Sequence, residues 1–337
     1  MLPRIVPKFK SQSLTLSGEI AINFFIEFPE GIEPEGSYML FTVGNSTTEE
    51  RADFNSSFTN ASGKYGYTCH VNALQMADTV TATLHYTVND SESTVSKTYS
   101  VKAYIDYFEP YINGTQTGYS EALLNLLKSL ADYGHYAQLF LDDERDWTLG
   151  TDYTAMPAYT ESFDETEYER IKTATNAAVF TSNLTGSKVE ASGMQLALDS
   201  KTTMMINLTM ADETVPSITV SGHTLTPGDS YTNPNTDVTY TIIQRVDKNN
   251  QPIAKKYQVR IEGIRAQNLE KKYTIQGSAD GAFTITAYPL YYVKFVLTLT
   301  EESNTGYFVD LAHAKDGVTA LYRFYEAVKA YRASLGN

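Results

Sequence analysis

The chain has 337 residues, enough for two domains of ordinary size, and its 42% apolar and 20% charged residues describe a globular protein rather than a disordered one. A formal net charge of -14 repels phosphate backbones and anionic lipid, which argues against nucleic acid and membrane surfaces as partners. No apolar run is long enough to span a bilayer, and Met1-Leu2-Pro3-Arg4 lacks the charged-then-apolar layout of a secretory signal, leaving a cytosolic protein or a module of a longer secreted chain.

In LTLSGEIAINFFIEF, Leu14 and Leu16 alternate with polar residues, and Ile20, Ile22, Phe24 and Ile26 do the same after a Ser17-Gly18 break. That pattern predicts two consecutive strands. YMLFTV, YGYTCHV and TVTATLHYTV continue as strands between Gly, Asn and Ser clusters. The single Cys69 lies in one of them and reads as a small buried hydrophobe, because nothing electropositive marks it as a reactive thiol.

The period then changes. Val101, Tyr104, Ile105, Phe108 and Ile112 fit helical spacing. After NGTQTG a second helix is predicted, with Ser120 as N-cap and Leu123, Leu127, Leu130, Gly134, Ala137 and Leu141 along one face. A glycine inside a helix costs up to about 1 kcal/mol against alanine, so Gly134 predicts a close packing approach. His135 beside this stripe reads as structural, not catalytic.

DDERDWTLGTDYTAMPAY follows, too aromatic for a free tether. Trp147 is expected to anchor it against both halves of the chain, with Trp147→Ala costing about 3–5 kcal/mol. FDETEYERIK, with Phe163, Tyr168 and Ile171, predicts a short linker helix.

From Gly193 the pattern recurs. Leu196, Leu198, Met204, Ile206 and Leu208 stand where Leu14, Leu16, Ile22, Phe24 and Ile26 stood. Val71, Ala73, Met76 and Val80 match Ile264, Ala266, Leu269 and Tyr273, and SVKAYIDY aligns with TITAYPLY, pairing Val101 with Ile285 and Tyr104 with Tyr288. Leu130, Tyr133, Ala137 and Phe140 match Leu321, Phe324, Val328 and Tyr331, while Tyr325 replaces Gly134 and Glu326 replaces His135. Ordered blocks with drifting offsets predict an internal duplication.

LSGEIAINFF, VNALQMADTVTATL, YSVKAYIDY, SLADYGHYAQLF and ALYRFYEAVKAY together resemble a module of large secreted surface proteins of Gram-positive gut bacteria. The resemblance runs from about Leu14 to Tyr331. It implies an extracellular or cell-surface location within a longer parent chain, and supplies neither an activity nor a catalytic residue.

Motifs for chemistry are sparse. There is no phosphate loop, nucleophile elbow or H-E-x-x-H, and His70, His85, His135, His223 and His313 are scattered. LDDERDW gathers Asp142, Asp143, Glu144 and Asp146 before Trp147. Paired carboxylates beside an aromatic suit glycoside hydrolysis, and Asp142, Asp143 and Asp146 are weak calcium candidates without the spaced ligand pattern. The plainer reading is a solvated turn. PGDSYTNPNTD reads as a polar hairpin loop with Asp229 and Asp237 as turn residues. Trp147, Tyr153 and Tyr159 form a candidate ligand platform. Seven N-x-S/T sequons reflect Asn-rich loops in a bacterial chain rather than glycosylation.

The expected architecture is α+β and mainly β. Residues 10–148 and 185–337 form related units, each an antiparallel β-sandwich-like sheet with a C-terminal helical hairpin, joined by a linker at 149–184. The expected function is a non-catalytic extracellular binding, adhesion or domain-presenting module. It takes a glycan or protein ligand, uses no cofactor or metal and does not insert into a membrane. The alternatives are a glycan-active enzyme built on the acidic cluster and a purely structural spacer.

Overall fold

The structure is a computed structural model that describes residues 6–142, the last two as backbone, together with 156–198 and 201–336. It is a mixed α and β chain, mostly β, with antiparallel sheets. Two compact units divide it: residues 1–160 with 330–337, and residues 161–329.

The first unit begins with β1 (Lys8–Leu14), β2 (Ala21–Glu27), β3 (Tyr38–Val43), β4 (Glu50–Asp53), β5 (Tyr65–His70), β6 (Val80–Val88) and β7 (Ser91–Tyr99). They form two sheets in the orders β1-β2-β5 and β4-β3-β6-β7. Alternation along β6 buries Val80, Ala82, Leu84 and Tyr86 and turns Thr81, Thr83 and His85 away from the core. The sheets meet where Phe24 of β2 approaches Phe41 of β3, with ring centroids 5.6 Å apart. Cys69 is fully buried opposite Ile22, and burial pushes its thiol well above the ordinary range, as expected of a packing residue.

Two helices follow, α1 (Val101–Ile112) and α2 (Glu121–Asp142). Ser100 caps α1 by accepting from the Ala103 N–H at 2.9 Å, and Ser120 accepts from the Leu123 N–H at 3.3 Å. Leu127, Leu130 and Ala137 are buried as their spacing requires. Gly134 has a specific reason: a Cβ placed there would stand 2.4 Å from Met76 Cε and 3.2 Å from Met156 Cγ. The close approach is therefore of a methionine to the helix backbone. Met76 follows a 3-10 turn, Ala73–Gln75, whose N-cap Asn72 and Gln75 form a reciprocal capping box.

The second unit contains α3 (Glu165–Ala174) and then β8 (Phe180–Asn183), β9 (Val189–Leu198), β10 (Thr202–Met210), β11 (Ser217–Val220), β12 (His223–Leu225), β13 (Ser230–Asn233), β14 (Val238–Val246), β15 (Pro252–Ile264), β16 (Tyr273–Ser278) and β17 (Ala282–Ala287). The sheet orders are β13-β14-β15-β10-β9 and β12-β11-β16-β17-β8. Helices α4 (Pro289–Thr298) and α5 (Leu311–Ser334) close the chain.

Several expectations change here. Residues 161–184, expected as linker, are built into the second unit. Tyr168 and Ile171 bury one face of α3, which packs on α4, and β8 joins a sheet edge. Helix α3 is also tied to α5: the Tyr168 hydroxyl donates to Asp316 at 2.6 Å, and Arg170 grips Glu326 at 2.7 and 3.0 Å. The pairing of Val101 with Ile285 is not kept. Phe283, Ile285 and Ala287 are buried alternately in β17, whereas Val101 opens a helix; the helical period in this half begins only at Pro289. The polar loop at 227–237 contains β13, paired with β14. Asp229 serves its turn by accepting from the Thr226 N–H and hydroxyl, both at 2.8 Å.

The Gly134 packing carries a prediction. Overpacking a core costs about 1–3 kcal/mol, while alanine regains up to about 1 kcal/mol of helix propensity. Gly134→Ala should therefore destabilise the protein by about 1 kcal/mol in urea melts. Combining it with Met76→Ala should show a favourable coupling of at least about 0.5 kcal/mol in a double-mutant cycle. Strict additivity would mean that Met76 is not what the glycine accommodates.

Candidate functional site

Of the residues singled out as a ligand platform, Tyr159 lies among those described. Trp147 and Tyr153 lie outside them, as do Asp143 and Asp146 of the acidic cluster; Asp142 ends α2 and its side chain is likewise outside. Tyr159 belongs to a strap, residues 156–160, held in the first unit by polar groups of α2. Buried Asp132 accepts from the Tyr159 and Thr160 N–H groups at 2.7 and 3.1 Å, and from the Thr160 hydroxyl at 2.8 Å. Gln138 accepts from the Met156 N–H at 3.1 Å and donates to the Leu74 carbonyl at 3.3 Å. His135 Nδ1 lies 2.9 Å from the Met156 carbonyl, which accounts for the histidine as a structural donor.

Around Tyr159 is a cleft of about 420 Å³ with Lys102, Asp106 and Glu109 of α1 on its far wall. Burial, with Glu109, Asp106 and Asp132 nearby, pushes the Tyr159 phenol above its ordinary value. Tyr159 is a half-buried residue at the edge of this charged cleft.

A more developed cleft lies in the second unit. It measures about 380 Å³ and is lined by Phe180, Tyr291, Tyr292, Phe295, Tyr307 and Phe308 on one side and by Ser192, Gly193, Met194, Gln195 and Asn207 on the other. That volume falls within the range of about 300–1,000 Å³ typical of small-ligand sites. Helix α4 buries Leu290, Val293, Val296 and Leu297, so Tyr291, Tyr292 and Phe295 fall beside the buried stripe and project along the cleft wall. Phe180 of β8 stacks on Tyr291 with centroids 6.0 Å apart, and Phe295 meets Tyr307 edge-on at 5.3 Å. Tyr307, from the loop between α4 and α5, is 55% exposed.

The opposite wall is polar and uncharged. Gly193 faces Asn207 across the β9–β10 pair, so Gly193, Gln195 and Asn207 share one face. Gln258 Nε2 donates to Asn207 Oδ1 at 2.9 Å, and Asn207 Nδ2 donates to Gln195 Oε1 at 3.1 Å. The Ser192 hydroxyl, on the opposite face of β9, is buried without a hydrogen-bond partner. None of the described lining residues is Asp, Glu or His. The arrangement can hold a ligand by stacking and neutral hydrogen bonds.

Burial raises the pKa of Asp316, partly opposed by the Tyr168 hydrogen bond. It sits between α3 and α5, which makes it a packing carboxylate rather than a cleft acid. Among the described residues no group of three or more His, Cys, Asp or Glu could hold a metal ion, and no helix is long and apolar enough to cross a membrane.

The aromatic cleft was not foreseen from the sequence, although one signal was available. Tyr291, Tyr292 and Phe295 are large aromatics displaced from the apolar stripe of their helix.

No family model matches the chain, and no curated protein matches it. Among solved structures, the crystal structure of the outer membrane decaheme cytochrome OmcA aligns over 81% of this chain and 66% of that one, at 9% identity and a TM-score of 0.18. The chain thus spans just under two thirds of that protein, and so low a TM-score describes no common fold.

The strap gives a second prediction. Removing the Asp132 carboxylate orphans three donors, and each buried unsatisfied group costs about 1–3 kcal/mol. Asp132→Ala should lower stability by about 3 kcal/mol and speed proteolysis within 156–160, while Asp132→Asn, which keeps one acceptor oxygen, should lose less. Equal losses in the two variants would show that the carboxylate's acceptor role is not what holds the strap.

Proposed function

We propose that this chain is a non-catalytic extracellular module of a bacterial surface protein that binds a glycan or protein ligand and presents or spaces other domains of a longer parent chain. The observation that carries the binding part is the second-unit cleft, where exposed aromatic surface faces neutral hydrogen-bonding groups and no described carboxylate converges. Glycoside hydrolysis needs two carboxylates flanking the scissile bond. The extracellular assignment rests on the five ordered motifs that resemble secreted surface proteins.

The same reading includes an internal duplication, with a β-sandwich-like sheet pair followed by two helices in each unit. Three observations support it. Strand order β1-β2-β5 has its counterpart in β9-β10-β15, and β4-β3-β6-β7 in β12-β11-β16-β17. Leu14 lies opposite Ile22 just as Leu196 lies opposite Met204, which keeps the register predicted from sequence. The 3-10 turns Ala73–Gln75 and Ala266–Asn268 occupy corresponding places, and each is followed by a backbone bond to the next helix: Lys102 N–H to the Met76 carbonyl at 2.9 Å, and Leu290 N–H to the Leu269 carbonyl at 3.2 Å. On this reading β8, β13, β14 and α3 are additions to the second copy.

Pull-down from mucus and plant polysaccharide with the whole chain tests the proposal. The expected result is saturable retention that weakens at least about tenfold, a loss of roughly 1.4 kcal/mol, in the double variant Tyr291→Ala, Phe295→Ala. Release of reducing ends by the wild type, abolished in Asp143→Asn, would establish the enzyme reading instead. Absence of any saturable ligand would favour a spacer.

A further inference from the structure

Resting on the binding reading above, we propose that the second-unit cleft takes an uncharged saccharide unit, ring faces against Tyr291 and Phe295 and hydroxyl edges against Gln195 and Asn207. The argument begins with the amide relay. Gln258 donates to Asn207 and Asn207 donates to Gln195, so the Asn207 and Gln195 carbonyl oxygens are each occupied by the amide before them. All three amides are thereby polarised in one direction across β15, β10 and β9. At its end the Gln195 amide lies among the cleft's lining on the edge strand of the sheet. The Asn207 hydrogen bond orients that amide before any ligand arrives, which reduces the ordering lost on binding.

Three ligand classes can be weighed against this lining. A purely apolar molecule would desolvate the Gln195 and Asn207 amides without replacing their hydrogen bonds, at about 1–3 kcal/mol for each group left unpaired. An anionic ligand finds no Lys, Arg or His among the described lining residues and meets a chain of net charge -14. A cationic ligand finds no carboxylate there. What remains is a ligand that is itself two-sided, with an apolar C–H face for the rings and an edge of neutral acceptors for the amides. A pyranose has that geometry. The volume of about 380 Å³ suits a short saccharide unit, and Tyr307 at the rim extends the aromatic surface outward, so the unit can belong to a longer polymer.

Gly193 supplies a test that does not disturb the core. A Cβ built there meets no atom within 4 Å, and the residue lies in strand β9 without a left-handed backbone, so a side chain is accommodated and extends into the cleft's space. Affinity electrophoresis of the whole chain should use neutral polysaccharides (xylan, mannan, mixed-linkage β-glucan), acidic ones (polygalacturonate, alginate) and an immobilised library of unstructured peptides. The expected result is retardation by at least one neutral polysaccharide, weakened at least about tenfold in both Gly193→Trp and Asn207→Ala, with the thermal midpoint of Gly193→Trp unchanged. If only acidic polysaccharide or peptide binds and Gly193→Trp blocks it, the saccharide class is wrong while the binding-module reading survives. If neutral polysaccharide binds equally well to wild type and Gly193→Trp, the cleft assignment is wrong. Binding of nothing in the panel would overturn both.

Discussion

The turn at Asn72–Met76 is the joint on which the first unit depends, because a sheet and a helical layer have to be held in one register there. Its own capping box removes two orphan donors, so the turn is stiff before it touches anything else. Three restraints then converge on it. The Met76 carbonyl takes the Lys102 N–H at the start of α1, Gln138 of α2 reaches the Leu74 carbonyl, and the Met76 side chain fills the space left by Gly134. A loop fixed so completely does not drift, and the helix faces that grip the 156–160 strap inherit that position. The helix interior accepts an unfavourable glycine because the alternative is to move this joint.

The second unit fixes its own turn with different side chains. The turn at Ala266–Asn268 has no side-chain cap and is followed by Leu269. Tyr325 donates to Glu270 at 2.6 Å, and Lys329 holds the same carboxylate at 2.9 Å.

Legibility followed locality. The strands Ala21–Glu27 and Val80–Val88 and the helix from Val101 were readable because alternation and helical spacing are contained in a few adjacent residues. Ser120 and Gly134 were readable for the same reason. The segment TITAYPLY misled because its spacing of small and aromatic residues imitates SVKAYIDY, and only the buried period-2 run Phe283, Ile285, Ala287 distinguishes a strand from a helix there. Tyr168 and Ile171 were legible as one apolar face, but not what that face would meet, since Asp316 and Glu326 lie far along the chain. The aromatic cleft was the least legible feature. Its walls come from β8, β9, β10, α4 and the loop carrying Tyr307, and no local pattern states that these segments converge.

The first unit carries an aromatic cluster of similar composition in a different setting. Tyr104, Tyr107, Phe108, Tyr111 and Tyr119 gather at α1 and the loop after it, much as Tyr292, Phe295 and Tyr307 gather in the second unit. In the first unit the rings satisfy one another. Phe108 has Tyr104, Tyr107 and Tyr119 within 5.1 Å, and Tyr119 meets Tyr111 at 4.7 Å. Edge-to-face contacts of this kind are worth about 0.5–1.5 kcal/mol each beyond area burial, and they leave Tyr107 61% and Tyr119 40% exposed. In the second unit Phe295 meets Tyr307 on one edge, Tyr292 lies 6.4 Å from Phe295, Phe180 backs Tyr291, and a polar strand lines the other side of the cleft. What separates the two is a β-strand wall bearing Gly193, Gln195 and Asn207, which keeps the aromatic side from collapsing and supplies the polar half of the site.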